Sequence, residues 1–87
     1  MKRRVVVTGL GIVSPYGVGV PTLWESVRAG KSGIGLITRF DTADFPVKFG
    51  GEVKGFDPEQ HFDKKEARHL DRVTQFALVA SQEARKD

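Results

Sequence analysis

Cysteine is absent from the 87-residue sequence, and methionine, tryptophan and tyrosine each occur once. Without Cys there is no disulfide framework, no Cys-based zinc site and no thiol nucleophile, and a reducing compartment is the simpler setting. No apolar stretch approaches the roughly 20 residues needed to span a bilayer. Lys2-Arg3-Arg4 ahead of an apolar run imitates the opening of a signal peptide. Thr8-Gly9 and Gly11 interrupt that run, however, and no small-x-small cleavage site follows, so export is rejected and a cytoplasmic location expected. Nor does one charge dominate: 14 Lys and Arg against 11 Asp and Glu leave a net +3, most of it in the opening basic triplet. What the chain does contain is 39% hydrophobic and 29% charged residues, six of them Phe among the former. That ordinary globular mixture excludes a disordered polyelectrolyte or a fibrous repeat, and the length allows one small domain at most.

Residues 4–13, Arg-Val-Val-Val-Thr-Gly-Leu-Gly-Ile-Val, are β-branched and apolar without the alternation of a half-exposed strand. They predict an interior strand covered on both faces. Ser14-Pro15-Tyr16-Gly17 ends it, and Pro21 with Gly30 brackets a helix whose buried face would be Leu23, Trp24 and Val27. From Lys31 to Pro46 the glycines, Asp41, Asp44 and Pro46 predict an irregular connection, and residues 47–53 a second strand. Asp57-Pro58-Glu59 reads as a cap and first turn of a short helix to about Phe62. Asp63 then caps a longer helix with Glu66 at its third position, and residues 73–80, Val-Thr-Gln-Phe-Ala-Leu-Val-Ala, predict a helical stretch buried all round and extended by Leu70.

A strand covered on both faces and a helix covered on all sides each need several neighbours, whereas 87 residues supply two strands and about three helices. The expectation is therefore one piece of a larger layered α/β structure. Arg85-Lys86-Asp87 has no Gly or Pro after it of the kind that ends a helix.

Gly9-Leu10-Gly11 after a strand suggests a dinucleotide-binding turn, but the third glycine position is Ser14, Pro15 follows, and no helix can begin before about Pro21. The glycines are better explained by close backbone approach. His61 and His69 share no fixed helical face and have no evident third ligand, so a metal site is not expected. The carboxylates Asp57, Glu59, Asp63, Glu66 and Asp71 suit helix caps and pairs four residues apart rather than a matched acid and base. The most informative surface feature is a basic stripe in which Lys65, Arg68 and Arg72 line one side of the helix, flanked by Lys64 and His69. Such a stripe is ordinarily a solvated face; the alternative is a docking patch for an anionic partner. Interleaved Glu66 and Asp71 and the modest charge argue against nucleic acid.

Several blocks in fixed order carry a more specific signal. Arg3-Arg4-Val5-Val6-Val7-Thr8-Gly9-Leu10-Gly11 is followed by Ser14-Pro15, Gly17, Leu23-Trp24 and Ala29-Gly30-Lys31-Ser32-Gly33-Ile34. Next come Ile37-Thr38-Arg39-Phe40-Asp41, Lys64-Lys65-Glu66-Ala67-Arg68, Leu70-Asp71-Arg72 and Gln75-Phe76-Ala77. Together they resemble the N-terminus of the β-ketoacyl-acyl-carrier-protein synthases, most of all the elongating synthase II type, from about Lys2 to Lys86. The resemblance implies a thiolase-like α/β fold: two similar halves, each a five-stranded mixed sheet packed with helices, in a homodimer. Residues 1–87 would be the opening segment of the first half, with the rest of the domain absent.

The implied reaction is elongation of fatty acyl chains by decarboxylative condensation of an acyl-enzyme with malonyl-acyl carrier protein, an acyltransferase activity needing no cofactor. The family's cysteine and two histidines lie downstream, so no catalytic residue is carried over, and the chain by itself should be inactive. One feature does carry over. Lys65 and Arg68 match basic positions that meet the acidic recognition helix of acyl carrier protein, Lys64 is their neighbour, and His69 stands where relatives often place another Lys or Arg. A histidine there makes that contact weaker or pH-dependent. The rival expectation is a basic α/β binding module for an acidic protein, with no chemistry of its own.

Overall fold

The computed structural model describes residues 2–87. Ser14-Pro15-Tyr16-Gly17 forms a tight reversal between β1 (Val13–Ser14) and β2 (Gly17–Val18), which pair antiparallel with Val13 opposite Val18. Gly17 and Gly19 have φ of 132° and 109°, backbone that side-chain-bearing residues rarely adopt, so the chain can turn directly into α1 (Val20–Arg28). Pro21 sits in the first turn of α1. At the other end Gly30 has φ 72°, its N–H bonds the Val27 carbonyl at 3.1 Å, and the Lys31 N–H bonds the Ser26 carbonyl at 3.0 Å. These two bonds form a Schellman C-cap.

β3 (Ile34–Leu36) and β4 (Phe49–Gly51) make a second antiparallel pair with Gly35 opposite Gly50. The strand expected over 47–53 is present in its central part, but β3 falls in the segment expected to be irregular, where Gly33 and Gly35 dilute the β-forming signal of Ile34 and Leu36. Glu52 holds the end of this ribbon, accepting the Thr38 N–H and hydroxyl at 2.8 Å each and the Arg39 N–H at 3.2 Å.

Asp57 caps a single 3₁₀ turn, Pro58–Gln60, by accepting the Glu59 N–H at 3.0 Å. Asp63 caps α2 (Lys64–His69) by accepting the Glu66 N–H at 2.8 Å. The continuous helix read from the sequence is divided: Leu70 is extended (φ −105°, ψ 130°), and Asp71 caps a new helix, α3 (Arg72–Lys86), by accepting the Thr74 N–H at 3.0 Å. An Asp side chain that bonds the backbone three residues ahead competes with a continuing helix, which is why the boundary falls there.

The covered strand and covered helix do not occur among the described residues. Residues 4–12 form no strand, the Gly19 N–H bonding the Ile12 carbonyl at 2.9 Å at their end, and Val5 is 93% exposed. In α3 only Gln75 and Val79 are buried, while Val73 is 71% exposed. In α1 Leu23 is half-buried, but Trp24 and Val27 are exposed. The radius of gyration, 16.2 Å, exceeds the roughly 12 Å of a closed domain of this length. The apolar faces are formed as the pattern demands, and the described chain has too few layers to cover them.

The N-terminal segment is nonetheless anchored to α3. Side-chain Cβ atoms at Gly9 and Gly11 would collide with the carbonyl groups of Ala84 and Ala80, so both glycines are where backbone lies directly on helix. Glu83 accepts the Ile12 N–H at 2.8 Å through one carboxylate oxygen and the Val20 N–H at 2.9 Å through the other. The second bond gives α1 the cap that Gly19, without a side chain, does not provide. Asp87 accepts the Leu10 N–H at 3.1 Å.

Candidate docking surface

Alternating Lys, Arg and His in a helix of under two turns places their charges on one side, because residues three and four apart are neighbours on a helical surface. Lys64, Lys65, Arg68 and His69 all lie on α2, are all exposed, and together line one shallow depression. A second depression runs from this face toward α3, where Lys65 and His69 border Phe62, Leu70 and Leu78. The four residues singled out from the sequence are thus brought together.

Arg72 is not part of this surface, because the break at Leu70 puts it on the next helix, turned the other way. Its Nη2 donates to the Val53 carbonyl at 2.8 Å, and its guanidinium lies 4.9 Å from the Phe76 ring centre and 5.7 Å from that of Phe56. The two rings meet edge to face at 4.9 Å. Burial pushes the Arg72 pKa below its ordinary value, Arg39 adds to this by repulsion, and Glu52 opposes it. The guanidinium remains charged and ties the segment after β4 to α3.

His61 stacks on Phe56 with centroids 5.4 Å apart, on a different element from His69. Among the described residues no group of three or more His, Asp or Glu could hold a metal ion. Residues 9–11 lead into β1 rather than a helix, and the nearby N-terminus of α1 is already occupied by the Glu83 carboxylate, which accepts the Val20 N–H. No helix among the described residues is long and apolar enough to cross a membrane.

The pose of α2 depends on a residue that the sequence reading passed over. Gln75 is 6% exposed, and its side-chain amide donates to the carbonyl of Ala67 at 3.1 Å and of Leu70 at 3.2 Å. Phe62, 8% exposed, packs beneath the same junction. The signal was available in the sequence, since Gln75 is the bulkiest polar residue within the apolar run 73–80, and a buried amide requires partners.

Comparison with known proteins agrees with this arrangement of blocks. The family model described as "Beta-ketoacyl synthase, N-terminal domain" matches residues 2–87. A protein of Staphylococcus aureus (strain COL) named 3-oxoacyl-[acyl-carrier-protein] synthase 2 is 53% identical over 86 residues, which is 99% of this chain and 21% of that protein. A Synechocystis protein of the same name is 51% identical over 86 residues, with the same shares. Among solved structures, the ishigamide ketosynthase/chain length factor superposes with a TM-score of 0.80 at 37% identity, covering 99% of this chain and 21% of that one. The chain therefore spans about a fifth of the length of the relatives it matches, and throughout that span it belongs to the β-ketoacyl synthase family, as part of its N-terminal domain.

Proposed function

We propose that residues 1–87 are the opening segment of the first thiolase-like half of an elongating β-ketoacyl-acyl-carrier-protein synthase, and that α2 is its docking surface for acyl carrier protein. The whole enzyme, a cytoplasmic homodimer, transfers an acyl group from the carrier to a cysteine. It then decarboxylates malonyl-acyl carrier protein, and the resulting carbanion attacks the acyl thioester and releases the cysteine thiolate. This chain has no cysteine, so it contributes no nucleophile. The exposed Val5, Val6, Val7 and Leu10 and the open faces of α3 support the larger assembly, because both are apolar surfaces that further layers of the same protein would cover.

The observation that carries the docking proposal is the grouping of Lys64, Lys65, Arg68 and His69 around one exposed depression on a single short helix. Complementary charge of this kind acts mainly by speeding encounter and orienting the partner. Each exposed pair contributes only about 0.2–1 kcal/mol, so one neutralisation weakens association a few-fold at most. Reversal of two charges, Lys65→Glu with Arg68→Glu, replaces attraction by repulsion. In the full-length enzyme the double reversal should raise KM for carrier-linked substrate, and the effect should shrink as salt shortens the Debye length from about 10 Å at 0.1 M to about 3 Å at 1 M. Condensation of a small thioester without carrier should be unchanged. Equal loss on both substrates, or none on either, would return these residues to a solvated face.

A further inference from the structure

We infer that Gln75 is a positioning residue for the α2 docking surface, an inference that rests on the docking reading proposed above. Residues 64–69 make less than two turns, too short a helix to hold its own geometry in water, so its pose must come from what it is packed against. At the start the Asp63 cap supplies one fixed point, with the Glu66 N–H bonded to its carboxylate and the Ala67 N–H to its carbonyl at 2.9 Å. At the far end α2 stops in an extended residue, Leu70, with no glycine C-cap to satisfy its last carbonyls.

Gln75 supplies the second fixed point from inside α3. Its amide nitrogen donates to the carbonyls of Ala67 and Leu70, the two residues that bracket Arg68 and His69. Both donor hydrogens of that nitrogen are used, and the side chain is almost entirely enclosed. The junction therefore has one satisfied arrangement. Rotating α2 relative to α3 would leave a buried amide without acceptors. Arg68 and His69 project from the backbone that these two bonds hold, so their direction relative to the rest of the synthase follows from Gln75, which itself lies beneath the surface.

The test uses the full-length synthase and the ratio of KM for carrier-linked substrate to KM for a small carrier-free thioester. Gln75→Met keeps the volume and helix preference and removes both donors. The expected result is a rise in that ratio of about three- to tenfold, the worth of one or two misplaced exposed ion pairs, with kcat and small-thioester kinetics unchanged. Gln75→Asn keeps the donors one methylene short and should give a smaller rise; it also serves if Gln75→Met yields no soluble enzyme. Combining Gln75→Met with Lys65→Glu and Arg68→Glu should be less than additive, since both act on one contact. An unchanged ratio in both Gln75 variants, or equal losses on the two substrates, would overturn the positioning role. If the charge reversal alone leaves the ratio unchanged, the docking proposal itself falls; if the reversal raises it and the Gln75 variants do not, only this inference falls.

Discussion

Gly11→Ala is the most severe small perturbation available in this segment. A Cβ built at Gly11 falls within the Ala80 carbonyl oxygen, 2.7 Å from the Ala84 nitrogen and 2.9 Å from the Ala80 carbonyl carbon. All of these are backbone atoms of α3 that cannot rotate aside. Carbon contacts settle at about 3.5–4.0 Å, so the segment around Gly11 would have to withdraw from the helix by about 1 Å or more. The Ile12 N–H to Glu83 bond, now 2.8 Å, would then exceed hydrogen-bonding distance. Overpacking against an unyielding surface costs about 1–3 kcal/mol, and a lost bond to a carboxylate adds about 1.5–3 kcal/mol, giving a destabilisation of about 2.5–6 kcal/mol. The assay is denaturant unfolding of the full-length protein, with Gly35→Ala as control because its new methyl would meet only the Lys54 Nζ at 4.0 Å. The control should change stability by less than about 0.5 kcal/mol. Equal stability of the two variants would refute the claim that residues 9–11 lie directly on α3.

Glu83→Ala removes the acceptor for both Ile12 and Val20 and leaves α1 without a cap, so it should destabilise by about 2 kcal/mol or more. Glu83→Gln, which retains one acceptor, should fall between it and the parent in the same unfolding assay. Arg72→Ala should lose about 1–3 kcal/mol, because it strips the Val53 carbonyl of its donor and uncovers Phe56 and Phe76. The same variant should leave carrier-linked KM unchanged, which separates it from Lys65 and Arg68. The Asp71 pKa is held below its ordinary value by the hydrogen bonds from Thr74. Its contribution to stability is therefore complete above about pH 3.9 and is lost as pH falls through the lower native value; stability of Asp71→Asn followed between pH 2 and 5 should lack that component, and a pH profile identical to the parent's would refute it.

Local features were legible because they depend on neighbours in sequence. Asp57 and Asp63 cap the turns that follow them, Asp63 accepting the Glu66 N–H as their spacing indicates. Pro21 and Gly30 mark the two ends of α1 within a residue or two. Spacing alone grouped Lys65, Arg68 and Arg72 with Lys64 and His69 beside them, and the family resemblance narrowed the set to Lys64, Lys65, Arg68 and His69.

What depends on distant parts of the chain was decided by tertiary structure. Arg72 continues the basic spacing, but the extended Leu70 sends it to the Phe56 and Phe76 rings, because the competition between Asp71's side chain and a continuing helix is settled by packing at Phe62 and Gln75. The short strand β3 exists through pairing with β4, which its own glycines do not announce. Glu83 joins α3 to residues 12 and 20, more than 60 positions away. By itself the sequence determined where α1, the 3₁₀ turn and α2 start, which faces are apolar and where the basic residues cluster, since those follow from capping, periodicity and charge. Only the tertiary structure decided which polar groups meet, because a hydrogen bond across 60 residues is set by how the layers stack and leaves no periodic trace in the chain.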